Sequence, residues 1–271
     1  MPRVHGPRAE DHKYSRGTLH VVAGSDQYPG AAMLCAGAAV STGVGMVTLQ
    51  TPRRAADLVL ARHPEVVAVE ADAARSRLES ASAVLIGPGS GEDQDRAAEA
   101  RDALLSASRS GTSCLVDASA LDLIPEQVPT DELGEHVVLT PHAGEALRLA
   151  QRLGDAAAEA ALKDKDPAAG AAALANVTGC VVVLKGPKTA VAHPSGTTTT
   201  HRPNTPGLAT AGTGDVLAGI VGALLATQAE PPAVVAMLGV KLHGAAAQAI
   251  DPRARGRFGA SHLVEAIRRA D

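Results

Sequence analysis

The sequence predicts an α/β fold built on a mostly parallel central sheet with helices over both faces, and three observations carry that prediction. Short β-branched runs alternate with Ala-rich stretches of helical character, the pattern of repeated strand–helix units. At least five of these runs end in glycine-rich or polar turns, as strands do where they face a ligand crevice. At 271 residues the chain also lies within the range in which an α/β fold runs as one unit.

In chain order, residues 19–23 form the first strand and run through Gly24-Ser-Asp-Gln-Tyr-Pro-Gly30 into a helix over 31–42. Strands follow at 46–49, 66–69 and 84–86, the last opening into Gly87-Pro-Gly-Ser-Gly91 before a helix over 93–108. A strand at 114–116 ends at Asp117-Ala-Ser-Ala-Leu121, and one at 137–139 ends at Thr140-Pro-His-Ala-Gly-Glu145, where a helix over 144–153 begins. The polar stretches 125–135 and 155–167 read as surface loops or helix edges, too short and too poor in Pro and Ser to separate two domains. A helix over 168–177 precedes a strand at 181–184, which ends at Lys185-Gly-Pro-Lys-Thr189; a hairpin follows. Helices over 215–226, 233–250 and 261–270 complete the chain, and no repeat of about 20–50 residues is visible.

Composition narrows the function. With 25 basic against 29 acidic residues and a net charge of −4, the chain has no electrostatic footprint for nucleic acid or an acidic membrane. Aromatic residues make up 1% of it, so stacking platforms for single strands are lacking and the core must come from Ala, Val, Leu and Ile. Cys35, Cys114 and Cys180 are far apart, which argues against a zinc site or a disulfide framework and suits a reducing compartment. The N-terminal stretch has no apolar h-region, and no stretch of about 18 apolar residues runs free of charge. The expectation is a cytoplasmic protein with small-molecule ligands.

The segment NTPGLATAGTGDVLAG, residues 204–219, carries the most specific chemistry. Gly212 and Gly214 lack a Cβ, so their backbone can turn successive N–H groups inward, and the helix that follows adds unpaired donors and a positive dipole end. A phosphate suits such a place. Asp215 either caps this helix or acts as a base on a hydroxyl attacking the phosphate, and the motif alone leaves both open. Elsewhere on the rim each motif also has a purely structural reading. Gly87, Gly89 and Gly91 can make a strand-to-helix turn, Asp117 can be a turn residue, His142 and Glu145 can cap a helix, and Lys185 can be solvated. Their joint occurrence on one rim points to a site.

Taken in order, GSDQYPGAA, LIGPGSG, VDASAL, LTPHAGE, LKGPKT and NTPGLATAGTGDVLAG resemble the ADP/ATP-dependent NAD(P)H-hydrate dehydratases of the ribokinase-like superfamily. The resemblance covers nearly the whole chain. It implies a three-layer α/β/α ribokinase-like sandwich forming a single domain over residues 1–271, with no fused epimerase. The implied reaction is dehydration of the S epimer of NADHX or NADPHX, with ADP or ATP phosphorylating the 6-hydroxyl so that it leaves as phosphate.

Carried over residue by residue, Asp215 would take the hydroxyl proton, while Gly212, Thr213 and Gly214 would donate N–H groups to the transferring phosphate. Lys185, Gly186, Pro187, Lys188, Thr189 and Gly214 resemble the nucleotide-binding positions; Ala31, Gly89, His142 and Asp215 resemble the hydrate-binding ones. Glu145 would organise a hydrated Mg²⁺. The resemblance further suggests a homo-oligomer working with a separate NAD(P)HX epimerase. Ala211, Ser119, Ser90 and Ala143 depart from the family pattern, and none removes a proposed catalytic group. A kinase of the same superfamily acting on a sugar, vitamin or thiazole alcohol is the alternative, and a nucleotide-binding module without a base is a third reading.

Overall fold

A computed structural model, which describes Val4, Gly6 and residues 8–164 and 166–270, places nine strands in one sheet. They are β1 (Thr18–Val22), β2 (Met46–Gln50), β3 (Val67–Val69), β4 (Ala83–Ile86), β5 (Ser113–Val116), β6 (Val137–Leu139), β7 (Val181–Leu184), β8 (Thr189–Ala192) and β9 (Thr198–His201). Their order across the sheet is β3-β2-β1-β4-β5-β6-β7-β8-β9, parallel up to β7 and antiparallel at β7–β8 and β8–β9. The helices are α1 (Pro29–Thr42), α2 (Arg53–Arg62), α3 (Ala71–Glu79), α4 (Gln94–Ser110), α5 (Ala143–Leu153), α6 (Ala156–Lys163), α7 (Pro167–Thr178), α8 (Thr213–Thr227), α9 (Pro232–Ile250) and α10 (Ala260–Ala266).

Strand periodicity divides the interior in two. Leu19, Val21, Leu49, Leu85, Leu115, Val138 and Val183 face one core with α1, α2, α8, α9 and α10. Val22, Val84, Ile86, Val116, Leu139 and Val182 face a second core with α4, α5 and α7. This is the expected three-layer arrangement, and the predicted strands and most helices lie within a residue or two of their places.

Sequence reading missed α2, α3 and α6. Each buries only a narrow apolar stripe, Ala55, Ala56 and Val59 in α2 and Ala158 in α6, too little to stand out as a helical period. The stretch 155–167 is therefore mostly helix, started by Asp155, whose carboxylate accepts the Ala158 N–H at 2.7 Å. The last predicted helix stops at Ala266 and tightens into a 3₁₀ turn over Ile267–Arg269.

Two features set the rim where the parallel strands end. Arg96, 3% exposed on α4, donates to the carbonyls of Ala23 (3.3 Å), Gly24 (2.9 Å) and Gln50 (2.9 Å) and pairs with Glu99. One planar cation thus ties together the ends of β1 and β2 and the loop that leads into α1. The second feature is the close approach of α1 and α8. A Cβ on Gly219 would stand 2.3 Å from the Cys35 carbonyl oxygen and 2.8 Å from the Ala38 Cβ, so glycine lets the two backbones meet.

α9 is long and apolar enough to cross a bilayer by length and composition; it contains Lys241, and 56% of the stretch is buried in this fold. Cys35, Cys114 and Cys180 are free and buried, as expected, and burial raises all three thiols, Cys180 to about 12.

Two glycine replacements separate packing from propensity. Gly219→Ala is expected to destabilise the protein by about 1–3 kcal/mol, because the clash is with backbone and the helices must part. Gly30→Ala, in the first turn of α1 with nothing within 4 Å of the added carbon, is expected to be neutral or stabilising by up to about 1 kcal/mol. Thermal or denaturant unfolding checks both; equal effects would contradict the α1–α8 packing argument.

Candidate active site

Three carboxylates and one ammonium gather at the ends of β5, β6 and β7. Asp117, the residue after β5, is 2% exposed, and its Oδ1 accepts from Lys185 Nζ at 2.5 Å and from Thr140 Oγ1 at 2.7 Å. Lys185 follows β7, is tied to β6 by its N–H to the Pro141 carbonyl (2.8 Å), and has its Nζ 3.9 Å from Glu145 Oε2. Burial alone would depress this lysine, but Asp117, Glu145 and Asp215 offset it and hold its pKa above the ordinary value. It is therefore a fixed, charged group rather than a solvated surface lysine.

His142 and Glu145 form a capping box at the start of α5. The His142 Nδ1 accepts the N–H groups of Gly144 (3.0 Å) and Glu145 (3.3 Å), while Glu145 Oε2 accepts the His142 N–H at 2.7 Å. With Nδ1 accepting, the imidazole proton of the neutral ring sits on Nε2, 3.5 Å from Glu145 Oε1. Both oxygens of Glu145 are thus engaged by the protein. Among the described residues no group of three or more His, Cys, Asp or Glu side chains could hold a metal. A hydrated Mg²⁺ takes few protein ligands, so the expected role of Glu145 is a water-mediated one, and no step below passes through a metal.

The glycine turn opens α8, one correction apart from expectation. Gly212 is the N-cap, in the left-handed region at φ 85°, whereas Gly214 is already helical. Thr213 is spent on the turn: its N–H goes to the Thr210 carbonyl (3.3 Å) and its hydroxyl to the carbonyls of Leu208 (2.7 Å) and Thr210 (2.9 Å). The first helical bond is Val216 N–H to Gly212 O at 3.2 Å, so the amides of Gly214 and Asp215 have no acceptor within the helix. Of the three expected donors, Thr213 is thus engaged within the turn, Gly214 is open as the sequence suggested, and the Asp215 amide joins it. Ala211 lies outside the left-handed region, which accommodates an alanine there.

Asp215 is the third residue of α8 and makes no cap, which removes the capping alternative. Desolvation, then the charge of Asp117, push its carboxyl up to about 6 against the opposing pull of Lys185. Lys185 Nζ lies 3.7 Å from where a Cβ on Gly214 would stand, so cation, open amides and base converge on one point. His243 of α9 donates from Nε2 to the Thr213 carbonyl at 2.9 Å and steadies this first turn; burial lowers it to about 4, keeping it neutral. A single histidine in an apolar helix gave no signal of that in the sequence.

Ala31 and Gly89 are neighbours across the rim. A Cβ on Gly89 would stand 2.4 Å from the Ala31 Cβ and 2.9 Å from the Tyr28 carbonyl, and the Gly24 N–H donates to the Pro88 carbonyl at 2.7 Å. The small Ala31 side chain thus lets the 87–91 turn close onto α1. Cys35, one turn further along α1, donates its thiol to the Asp215 carbonyl at 3.3 Å, which sets the helix carrying Ala31 beside the base.

On the other side of α8 opens a cleft of about 710 Å³. His142, Lys185, Gly186, Pro187, Thr189, Thr213 and Gly214 line it, with residues 201–206 forming its outer wall. The 185–188 segment is the turn of the β7–β8 hairpin; Gly186 and Pro187 line the cleft, Lys188 is not among the lining residues, and His142 borders it. A second cavity of about 380 Å³, lined by Arg62, His63, Glu265 and Arg268, lies at the end of α2, away from the charged cluster.

Comparison with known proteins agrees with this geometry. The family model for NAD(P)H-hydrate dehydratase matches residues 19–269. A bifunctional NAD(P)H-hydrate repair enzyme of Gloeobacter violaceus is 41% identical over 250 residues, covering 89% of this chain and 46% of its own length. The chain thus spans about half of that relative. An ADP-dependent (S)-NAD(P)H-hydrate dehydratase of Neisseria meningitidis is 38% identical over 255 residues, covering 92% of this chain and 83% of the relative. The crystal structure of a Bacillus subtilis ADP/ATP-dependent NAD(P)H-hydrate dehydratase, grown with ATP/Mg²⁺, superposes with a TM-score of 0.81 at 28% identity, over 97% of this chain and 92% of that one. The three-layer architecture is the ribokinase-like one.

The raised carboxyl of Asp215 predicts a pH-dependent stability. Because its folded value lies above the unfolded one, its contribution is favourable at low pH and is lost as pH rises through about 6. Asp215→Asn is therefore expected to raise Tm at pH 7.5 and to give a smaller gain at pH 5, read by thermal unfolding at both. A gain larger at pH 5 would contradict the assignment.

Proposed function

Since the chain belongs to the NAD(P)H-hydrate dehydratase family, we propose that it uses ADP or ATP to dehydrate the S epimer of NADHX or NADPHX back to the reduced cofactor. The observation that carries this reading is the convergence of Asp215, Lys185 Nζ and the open amides of Gly214 and Asp215 on one point. That point lies between the 710 Å³ cleft and the Ala31–Gly89 turn, which gives the two reactants opposite sides of the base.

In this mechanism the nucleotide occupies the cleft beside Lys185, Gly186, Pro187 and Thr189, with its terminal phosphate over the start of α8. The hydrate lies against Ala31 and Gly89 with its 6-hydroxyl toward Asp215. Asp215 accepts the hydroxyl proton as the oxygen attacks phosphorus, and the bond to the nucleotide breaks. Lys185 and the two amides balance the charge that develops on the phosphoryl oxygens. The ring nitrogen then expels inorganic phosphate from C6, a ring proton is lost, and the dihydronicotinamide returns. A base whose pKa is near 6 is ionised at neutral pH yet weak enough to release its proton. His142, at the cleft edge with a proton on Nε2, offers a further donor.

The wider reading is a single domain in the cytoplasm, part of a homo-oligomer, served by an NAD(P)HX epimerase on a separate chain. The single sheet shared by two cores supports the first of these.

The assay is chemically prepared hydrated NADH with ADP or ATP, followed by return of reduced-nicotinamide absorbance. Recovery is expected with the wild type, rising with pH through about 6. Asp215→Asn is expected to lose at least ~10²-fold in turnover, with nucleotide binding nearly intact. Absence of recovery together with phosphorylation of a vitamin alcohol would assign the chain to the kinases instead.

A further inference from the structure

We propose that Asp117 is a positioning residue that holds the Lys185 ammonium above the open amides of α8, where it meets the nucleotide's terminal phosphoryl group and is kept from pairing with Asp215. This deepens the nucleotide reading above and rests on it.

The first support is the chemistry of the pair. Asp117 is 2% exposed, with both the Lys185 ammonium (2.5 Å) and the Thr140 hydroxyl (2.7 Å) on one oxygen. A buried ion pair is a poor way to stabilise a fold, because desolvating both charges offsets most of their attraction and apolar side chains of the same size do as well. Such a pair has its main use in fixing where a charge stands.

The second support is the backbone around it. Gly87 has φ 108°, and a Cβ there would stand 2.0 Å from the Asp117 carbonyl oxygen. Ala118, the next residue after Asp117, has φ 51°, a left-handed conformation that costs an alanine free energy. Strain is tolerated where surrounding structure fixes a residue for a purpose. Here the glycine and the left-handed alanine fix the backbone on either side of the Asp117 side chain, and the Thr140 hydroxyl holds its carboxylate.

The third support is what Lys185 would otherwise do. Its other acidic neighbours are Glu145, at 3.9 Å, and Asp215, both of which contribute to its raised pKa. Glu145 is already engaged by the His142 N–H at 2.7 Å. Freed from Asp117, the ammonium would move toward Asp215 and neutralise the base. Asp117 thus separates the cation from the base while leaving both facing the same phosphate.

A double-mutant cycle of Asp117→Asn and Lys185→Met tests this. Asp117→Asn is expected to lower kcat by ~10- to 100-fold while changing the ADP dissociation constant by less than about threefold. Lys185→Met is expected to weaken ADP by about tenfold or more and to lower kcat. The double variant should match Lys185→Met in kcat to within about twofold, because Asp117 acts through the lysine. It should also melt above Lys185→Met, in which Asp117 is left buried and unpaired.

Should Asp117→Asn not fold, Thr140→Val loosens the same carboxylate without removing a charge, and a kcat loss with ADP affinity retained is again expected. Losses of kcat that multiply in the double variant, or an Asp117→Asn that weakens ADP as much as Lys185→Met, would overturn the proposal. The ADP-binding and thermal arms need no hydrate. A wild type that binds ADP but never restores nicotinamide absorbance would overturn the dehydratase reading alone.

Discussion

The close packing of α1 against α8 is the constraint on which the site depends. Both helices start on the rim where the parallel strands end, and the contact at Gly219, Cys35 and Ala38 fixes their separation at the backbone level. One helix start carries Ala31, packed on the Gly89 turn, and the other carries Asp215, so the distance between them is set by glycine and alanine rather than by flexible side chains. A chain with 1% aromatic residues has few large groups with which to build such a spacer. It relies on direct backbone contact, which is stiffer, because a packed interior resists changes of even one methylene.

Charge on the rim is balanced against what is to be bound. Asp117, Glu145 and Asp215 surround Lys185, so the cluster holds more acid than base. Burial first, and then the charge of Asp117, push the Asp215 carboxyl up to about 6. An incoming phosphate would be repelled by that excess if the helix start did not face it with open amides and the positive end of the dipole. Binding and basicity therefore come from separate groups: backbone donors and the lysine hold the anion, and burial with the neighbouring acid makes Asp215 the better proton acceptor.

Much of this was legible in the sequence, and the residues that were not share a physical cause. Strands and long helices declared themselves because they bury continuous apolar runs or broad stripes. α2, α3 and α6 did not, because their contacts with the core amount to a few alanines and a valine. The rim motifs gave the right neighbourhood for Lys185, His142, Gly212 and Asp215, since glycine turns and strand ends leave local marks. Which amides stay open was not legible: it depends on Thr213 spending its own N–H on Thr210 across a turn. Nor was the partner of Lys185, because Asp117 is 68 residues away and meets it only when β5, β6 and β7 lie side by side. His243 and Arg96 were silent for the same reason, each acting on a carbonyl that comes near only in the folded chain.

The buried thiols have a consequence for control. A cysteine reacts through its thiolate, and a thiol raised to about 12, as at Cys180, is ionised to only about one part in 10⁵ at neutral pH. Cys35 and Cys114 are raised by the same burial, and none of the three is exposed. The fold thus offers disulfide exchange no reactive thiol among its three cysteines. Whatever this protein does is thereby set apart from the thiol poise around it, because none of its three thiols offers a thiolate to exchange.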